Sequence, residues 1–120
     1  MKFLWTTLQV RDTDASVEFY QKLIGLKLNQ RHVAGPGIEL AFLGEGDTQV
    51  ELVCNKNTKE SHRGKGISMG FKVDSLDDTM KMVKEKGIDV TKGIQKPNPY
   101  IKFFYINDPD GYEIQFVEQM

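Results

Sequence analysis

The feature that most limits what this chain can become is an order of elements, β-α-β-β-β, that is written into it twice. Residues 3–10 alternate as a strand does, with Leu4, Leu8 and Val10 on one face and Phe3, Trp5, Thr7 and Gln9 on the other. Asp12 and Thr13 are N-cap candidates for a helix that puts Val17, Tyr20 and Ile24 at helical spacing, with Phe19 and Leu23 beside them. Gly25 falls where a glycine ends a helix. Strands are expected over 26–33, 38–43 and 49–54, separated by turns at Gly35-Pro36-Gly37 and Gly44-Glu45-Gly46-Asp47.

After a polar stretch without periodicity, the same order begins again. A strand over 66–73 carries Ile67, Met69, Phe71 and Val73 on one face and Ser68, Gly70 and Lys72 on the other. Ser75 and Asp78 form a capping-box-like pair, Leu76, Met80 and Val83 make an apolar stripe, and Gly87 stops the helix. A short strand at 88–91, a Gly- and Pro-containing loop at 92–99, and strands at 100–106 and 113–118 complete the expectation. The 92–99 loop is a candidate lid. Before the last strand, Asp108-Pro109-Asp110-Gly111 is a turn with a mechanism: proline fixes φ, aspartates bond nearby backbone, and glycine accepts a positive φ.

The repeat, at about 55–60 residues per copy, implies an α+β fold. Two βαβββ modules stand in tandem, module 1 at about 1–55 and module 2 at about 66–120, joined by a linker at 56–65 within one domain spanning 1–120. The strands Val50-Glu51-Leu52-Val53 and Glu113-Ile114-Gln115-Phe116 align so that Glu51 and Gln115 hold equivalent positions. A helix on only one side of each sheet leaves a polar face, which a cup-shaped sheet with helices on its outer face turns into an interior.

The totals exclude more than they assign. Sixteen basic and seventeen acidic residues give a formal charge of −1, without the basic excess that a nucleic-acid surface needs. No apolar run approaches a membrane span, and the start lacks a signal-peptide core. The single cysteine, Cys54, has no internal disulfide partner, so a cytoplasmic protein is expected.

Several stretches together resemble the vicinal oxygen chelate superfamily of glyoxalase I, bleomycin-resistance proteins and extradiol dioxygenases. They are Leu8-Gln9-Val10-Arg11-Asp12, Ser16-Val17-Glu18-Phe19-Tyr20, Leu23-Ile24-Gly25-Leu26, Val50-Glu51-Leu52 and Asn107-Asp108-Pro109-Asp110-Gly111-Tyr112-Glu113-Ile114. Within that group the chain is most similar to small bacterial lactoylglutathione lyases, and the whole of 1–120 reads as one such domain. The resemblance implies a homodimer and a small-molecule ligand. It also implies a site at four strand positions that metal-dependent members fill with His, Glu, His and Glu. Here those positions hold Trp5, Glu51, Ser68 and Gln115.

Trp5, Glu51, Ser68 and Gln115 are therefore the candidate ligand-binding residues, with Glu51 the candidate catalytic base. Only Glu51 matches the lyase pattern; Glu51 and Gln115 are weak metal candidates, and no cofactor is assigned. Trp5 is either a stacking platform or a filler, and Ser68 and Gln115 either serve a ligand or close a polar network. Phe103 and Tyr105, or Phe104, line the polar face, depending on the register. His32 and His62 read as surface residues and Cys54 as a small buried hydrophobe. Arg11 either grips a ligand carboxylate or forms a surface ion pair, and 81–86 is a solvated helix face. Three functions follow: a lyase with an unusual metal site, a metal-free binder, or a structural domain with a filled cup.

Overall fold

A computed structural model describes residues 1–58 and 64–120. The elements run β1 (Trp5–Gln9), α1 (Thr13–Glu18), β2 (Leu28–Gly35), β3 (Ile38–Leu43), β4 (Gln49–Asn55), β5 (Ser68–Lys72), α2 (Leu76–Glu85), β6 (Lys92–Asn98), β7 (Ile101–Asn107) and β8 (Glu113–Gln119). The chain divides into two compact units, Met1–Arg63 and Gly64–Met120. Each holds a four-stranded sheet, ordered β1-β4-β3-β2 and β5-β8-β7-β6. In both, the first strand pairs in parallel with the last and the remaining pairings are antiparallel.

Local chemistry sets both helix starts. Asp12 stays extended and its carboxylate accepts from the Ala15 amide at 3.2 Å, while the Ser75 hydroxyl accepts from the Asp78 amide at 3.2 Å. α1 continues into a π-helical turn, Phe19–Leu23, closed by the Ile24 amide on the Phe19 carbonyl at 3.2 Å. Gly25 and Gly87 then take φ of +87° and +73°, a conformation that costs a Cβ-bearing residue more.

The apolar alternation lies against the helices. In the first unit Leu8, Ala41, Leu43 and Leu52 are fully buried with Tyr20, and Val10, Val17, Val50 and Cys54 nearly so. In the second, Phe104, Ile106 and Ile114 are fully buried with Leu76 and Val83. Burying each large side chain contributes about 1.5–3 kcal/mol. The Asp108 turn forms as its residues require: the buried carboxylate accepts from the Asp110 and Tyr112 amides at 2.8 and 2.9 Å.

The structure corrects three readings. The stretch 88–91 is not a strand, because the Ile88 amide is spent on the Val83 carbonyl at 3.0 Å in closing α2. The expected loop and lid at 92–99 is instead β6, a fully exposed edge strand. Pro97 is tolerated there because an edge strand pairs on one side only, and β6 meets β7 in a broken register. Finally, Phe3 and Leu4 precede β1 and are exposed, so Leu4 adds nothing to the core.

Candidate functional site

The faces turned away from the helices carry the polar strand positions, and each unit builds its own arrangement. In the first unit, β1 and β4 run parallel with Trp5 beside Gln49 and Thr7 beside Glu51, while β3 sets Phe42 beside Glu51. The Thr7 hydroxyl donates to Glu51 Oε1 at 2.5 Å. The Trp5 and Phe42 rings meet edge to face, with centroids 5.2 Å apart. Trp5 remains 43% exposed, a large indole offered to the surroundings rather than packed away. A partly covered carboxylate held in one orientation beside an edge-to-face aromatic pair can accept a ligand N–H or cation while the rings take its hydrophobic part.

In the second unit the equivalent positions carry different chemistry. Ser68 lies beside Glu113, Gly70 beside Gln115, and Tyr105 beside Gln115 from β7. Where Thr7 holds Glu51, glycine stands opposite Gln115; a Cβ at Gly70 would come within 3.1 Å of Gln115 Oε1. Gln115 instead donates through Nε2 to the Tyr105 hydroxyl at 3.0 Å. Lys92 of β6 places its ammonium 2.9 Å from Glu113 Oε2 and 4.9 Å from the Tyr105 ring centroid. The Lys92 hydrogen bond holds the Glu113 carboxyl below its ordinary range, helped by the Ser68 hydroxyl, and Glu113 raises Lys92 in return.

The four candidate positions therefore fall as two pairs, Trp5 with Glu51 on one sheet and Ser68 with Gln115 on the other. Ser68 and Gln115 turn to Glu113 and Tyr105 rather than to each other. Register decides the aromatic question: Phe104 is core, and Phe103 and Tyr105 share the polar face, their centroids 5.7 Å apart. Thr7, Phe42, Glu113 and Lys92 are additions. Alternation already put Thr7 on the Trp5 face and Glu113 two residues before Gln115; nothing local announces Phe42 or Lys92.

His32 is exposed and lies 3.2 Å through Nδ1 from Gln30, and His62 lies outside the described residues. Cys54 is buried and donates to the Arg11 carbonyl at 3.5 Å. Among the described residues no group of three or more His, Cys, Asp and Glu side chains is placed to hold a metal ion. No helix among them is long and apolar enough to cross a membrane.

Comparison with known proteins adds the lineage. A family model described as Glyoxalase/Bleomycin resistance protein/Dioxygenase superfamily matches residues 2–116. A lactoylglutathione lyase of Neisseria meningitidis is 33% identical, over 99% of this chain and 91% of that protein. Among solved structures, a glyoxalase I mutant from Zea mays superposes with a TM-score of 0.80 at 24% identity, over 97% of this chain and 44% of that one. An antibiotic-binding protein from Streptomyces does so at 0.78 and 21%, over 100% and 97%. At those identities the structural likeness speaks for the fold alone.

Proposed function

The chain belongs to the glyoxalase/bleomycin resistance protein/dioxygenase superfamily, and from that premise we propose that it binds a small molecule between the Trp5–Phe42 rings and the Glu51 carboxylate, without a resident divalent metal. The observation that carries the reading is the Thr7–Glu51 hydrogen bond beside an exposed indole. It orients the one acidic group among the four candidate positions toward a planar or cationic partner.

The residues at those positions do not fit a tight Ni²⁺ or Zn²⁺ centre. The Trp5 indole offers no lone pair for coordination, the Ser68 hydroxyl is engaged with Glu113, and the Gln115 amide supplies at most a neutral oxygen. Ser68 and Gln115 are read as hydrogen-bonding groups for the ligand, and the working form as a cytoplasmic homodimer. A second reading is favoured by the 33% identity to a protein named lactoylglutathione lyase. It makes the chain an isomerising lyase, with Glu51 as base and an unusual metal site that includes Gln115.

Metal analysis of protein purified without chelator, followed by Ni²⁺, Zn²⁺ and Mn²⁺ titration watched by thermal unfolding, separates the two. The proposal expects no stoichiometric metal and no metal-induced shift. It also expects planar cationic compounds to raise Tm in wild type, with about tenfold to hundredfold weaker binding in Glu51→Gln. One ion per chain, lost on Glu51→Ala and accompanied by hemithioacetal isomerisation, would make the lyase reading primary.

A further inference from the structure

The helix-side face of the first unit's sheet changes character partway along. Register places Arg31 beside Ala41, Val33 beside Glu39, and Glu39 beside Cys54, so Arg31 and Glu39 occupy the same face as the buried Ala41 and Leu52. Alternation that supplies core residues at one end of the sheet supplies ions at the other. α1 is only six residues long, and over the ion-bearing end the sheet and the chain leaving β1 enclose a cleft of about 470 Å³. That volume suits a small ligand, since ligand pockets run to roughly 300–1,000 Å³.

The cleft wall is built rather than incidental. The Arg31 guanidinium reaches Asp14 Oδ1 at 2.6 Å and Glu39 Oε1 at 2.9 Å through the same nitrogen. The nearly buried Thr13 also bonds Glu39, fixing the carboxylate from a second side. Each carboxylate keeps acceptor capacity beyond these bonds. Lys56 also lines the cleft; its backbone amide is pinned to the Gly37 carbonyl at 2.8 Å and its ammonium forms no ion pair among the described residues. Arg11 and Asp12 complete a lining that balances three cations with three anions around the apolar surface of Val33 and Ile38.

We infer that this cleft is a second ligand site, on the sheet face opposite Trp5 and Glu51, for a small zwitterion with an apolar body: an amino acid or dipeptide. A charge-balanced lining gives little net attraction to a simple anion or cation. A ligand carrying both signs can pair its ammonium with the Asp14 and Glu39 carboxylates and its carboxylate with Lys56, while its side chain covers Val33. The site does not depend on the function proposed above, because the two share no residue.

Titration of ¹⁵N-labelled protein with L-leucine and L-leucyl-L-leucine, followed by NMR, tests it. The inference expects saturable shifts at the amides of Val33, Gly37 and Cys54, with those of Trp5 and Thr7 unmoved. Leucinamide and N-acetyl-L-leucine, each lacking one charge, should bind at least about tenfold more weakly than L-leucine, as should L-leucine to Lys56→Gln. Val33→Trp, at an exposed position that the fold does not need, should block the cleft. Absence of saturable binding would overturn the inference, as would equal affinity for the blocked compounds, shifts confined to the Trp5 face, or binding unchanged in both variants.

Discussion

Single side chains on this protein are held by partners far away in sequence, and the consequences are measurable one residue at a time. Thr7 and Glu51 are 44 positions apart, yet the hydroxyl of one fixes the carboxylate of the other. Thr7→Val keeps the shape and removes the donor, so ligand affinity should fall by roughly threefold to tenfold, the worth of about one hydrogen bond. Because Thr7 is exposed, the unfolding free energy measured in urea should stay within about 0.5 kcal/mol of wild type. Glu39 carries a pH signature. Hydrogen bonds from Arg31 and then Thr13 hold its folded carboxyl below the ordinary value of 4.5. A lowered folded value means that its contribution is present above pH 4.5 and is lost as pH falls through the folded value. The stability gap between wild type and Glu39→Gln, measured by urea unfolding from pH 3 to 6, should therefore be largest near pH 6 and close in acid.

At the scale of elements, the chain obeys its local signals where they concern helix ends and departs from them where pairing intervenes. Both helices start at the residues whose side chains can cap them, Asp12 and Ser75, and both are followed by a glycine of positive φ. Ser75→Ala removes the acceptor for the Asp78 amide and should cost about 1 kcal/mol in chemical denaturation. β6 shows the opposite case. Gly93, Pro97 and Asn98 carry loop signals, but their segment finds a partner strand in β7, with Lys92 beside Tyr105 and Gln95 beside Phe103. That pairing delivers the Lys92 ammonium to Glu113.

At the scale of the molecule, two units of the same order have each been given a core. Leu8, Ala41, Leu43 and Leu52 serve one, and Phe104, Ile106, Ile114 and Leu76 the other. Leu52→Ala should cost about 2–5 kcal/mol through lost burial and a residual cavity. Its effect on native-state hydrogen exchange should appear first at the β1, β3 and β4 amides, before those of β7 and β8. Uniform acceleration across both units would show that they open only together. Duplication has also freed the equivalent positions to diverge, with threonine and glutamate meeting on one sheet where glycine and glutamine meet on the other.

The order β-α-β-β-β of the first copy, the caps, the helix-ending glycines, the Asp108 turn and the side of its own sheet on which each of Trp5, Glu51, Ser68 and Gln115 stands were determined by the sequence itself, whereas the strand after α2 formed at Lys92–Asn98 and not at 88–91. Each depends on neighbours or on a period of two or 3.6 residues, and such information is local. Only the tertiary structure decided that Phe42 would meet Trp5, that Tyr105 rather than Ser68 would take Gln115, and that Arg31 would sit between Asp14 and Glu39. Those contacts depend on which strands pair and in what register. A one-residue slip would exchange the two faces of a strand, and the register is set by packing across the whole sheet rather than by any residue's neighbours.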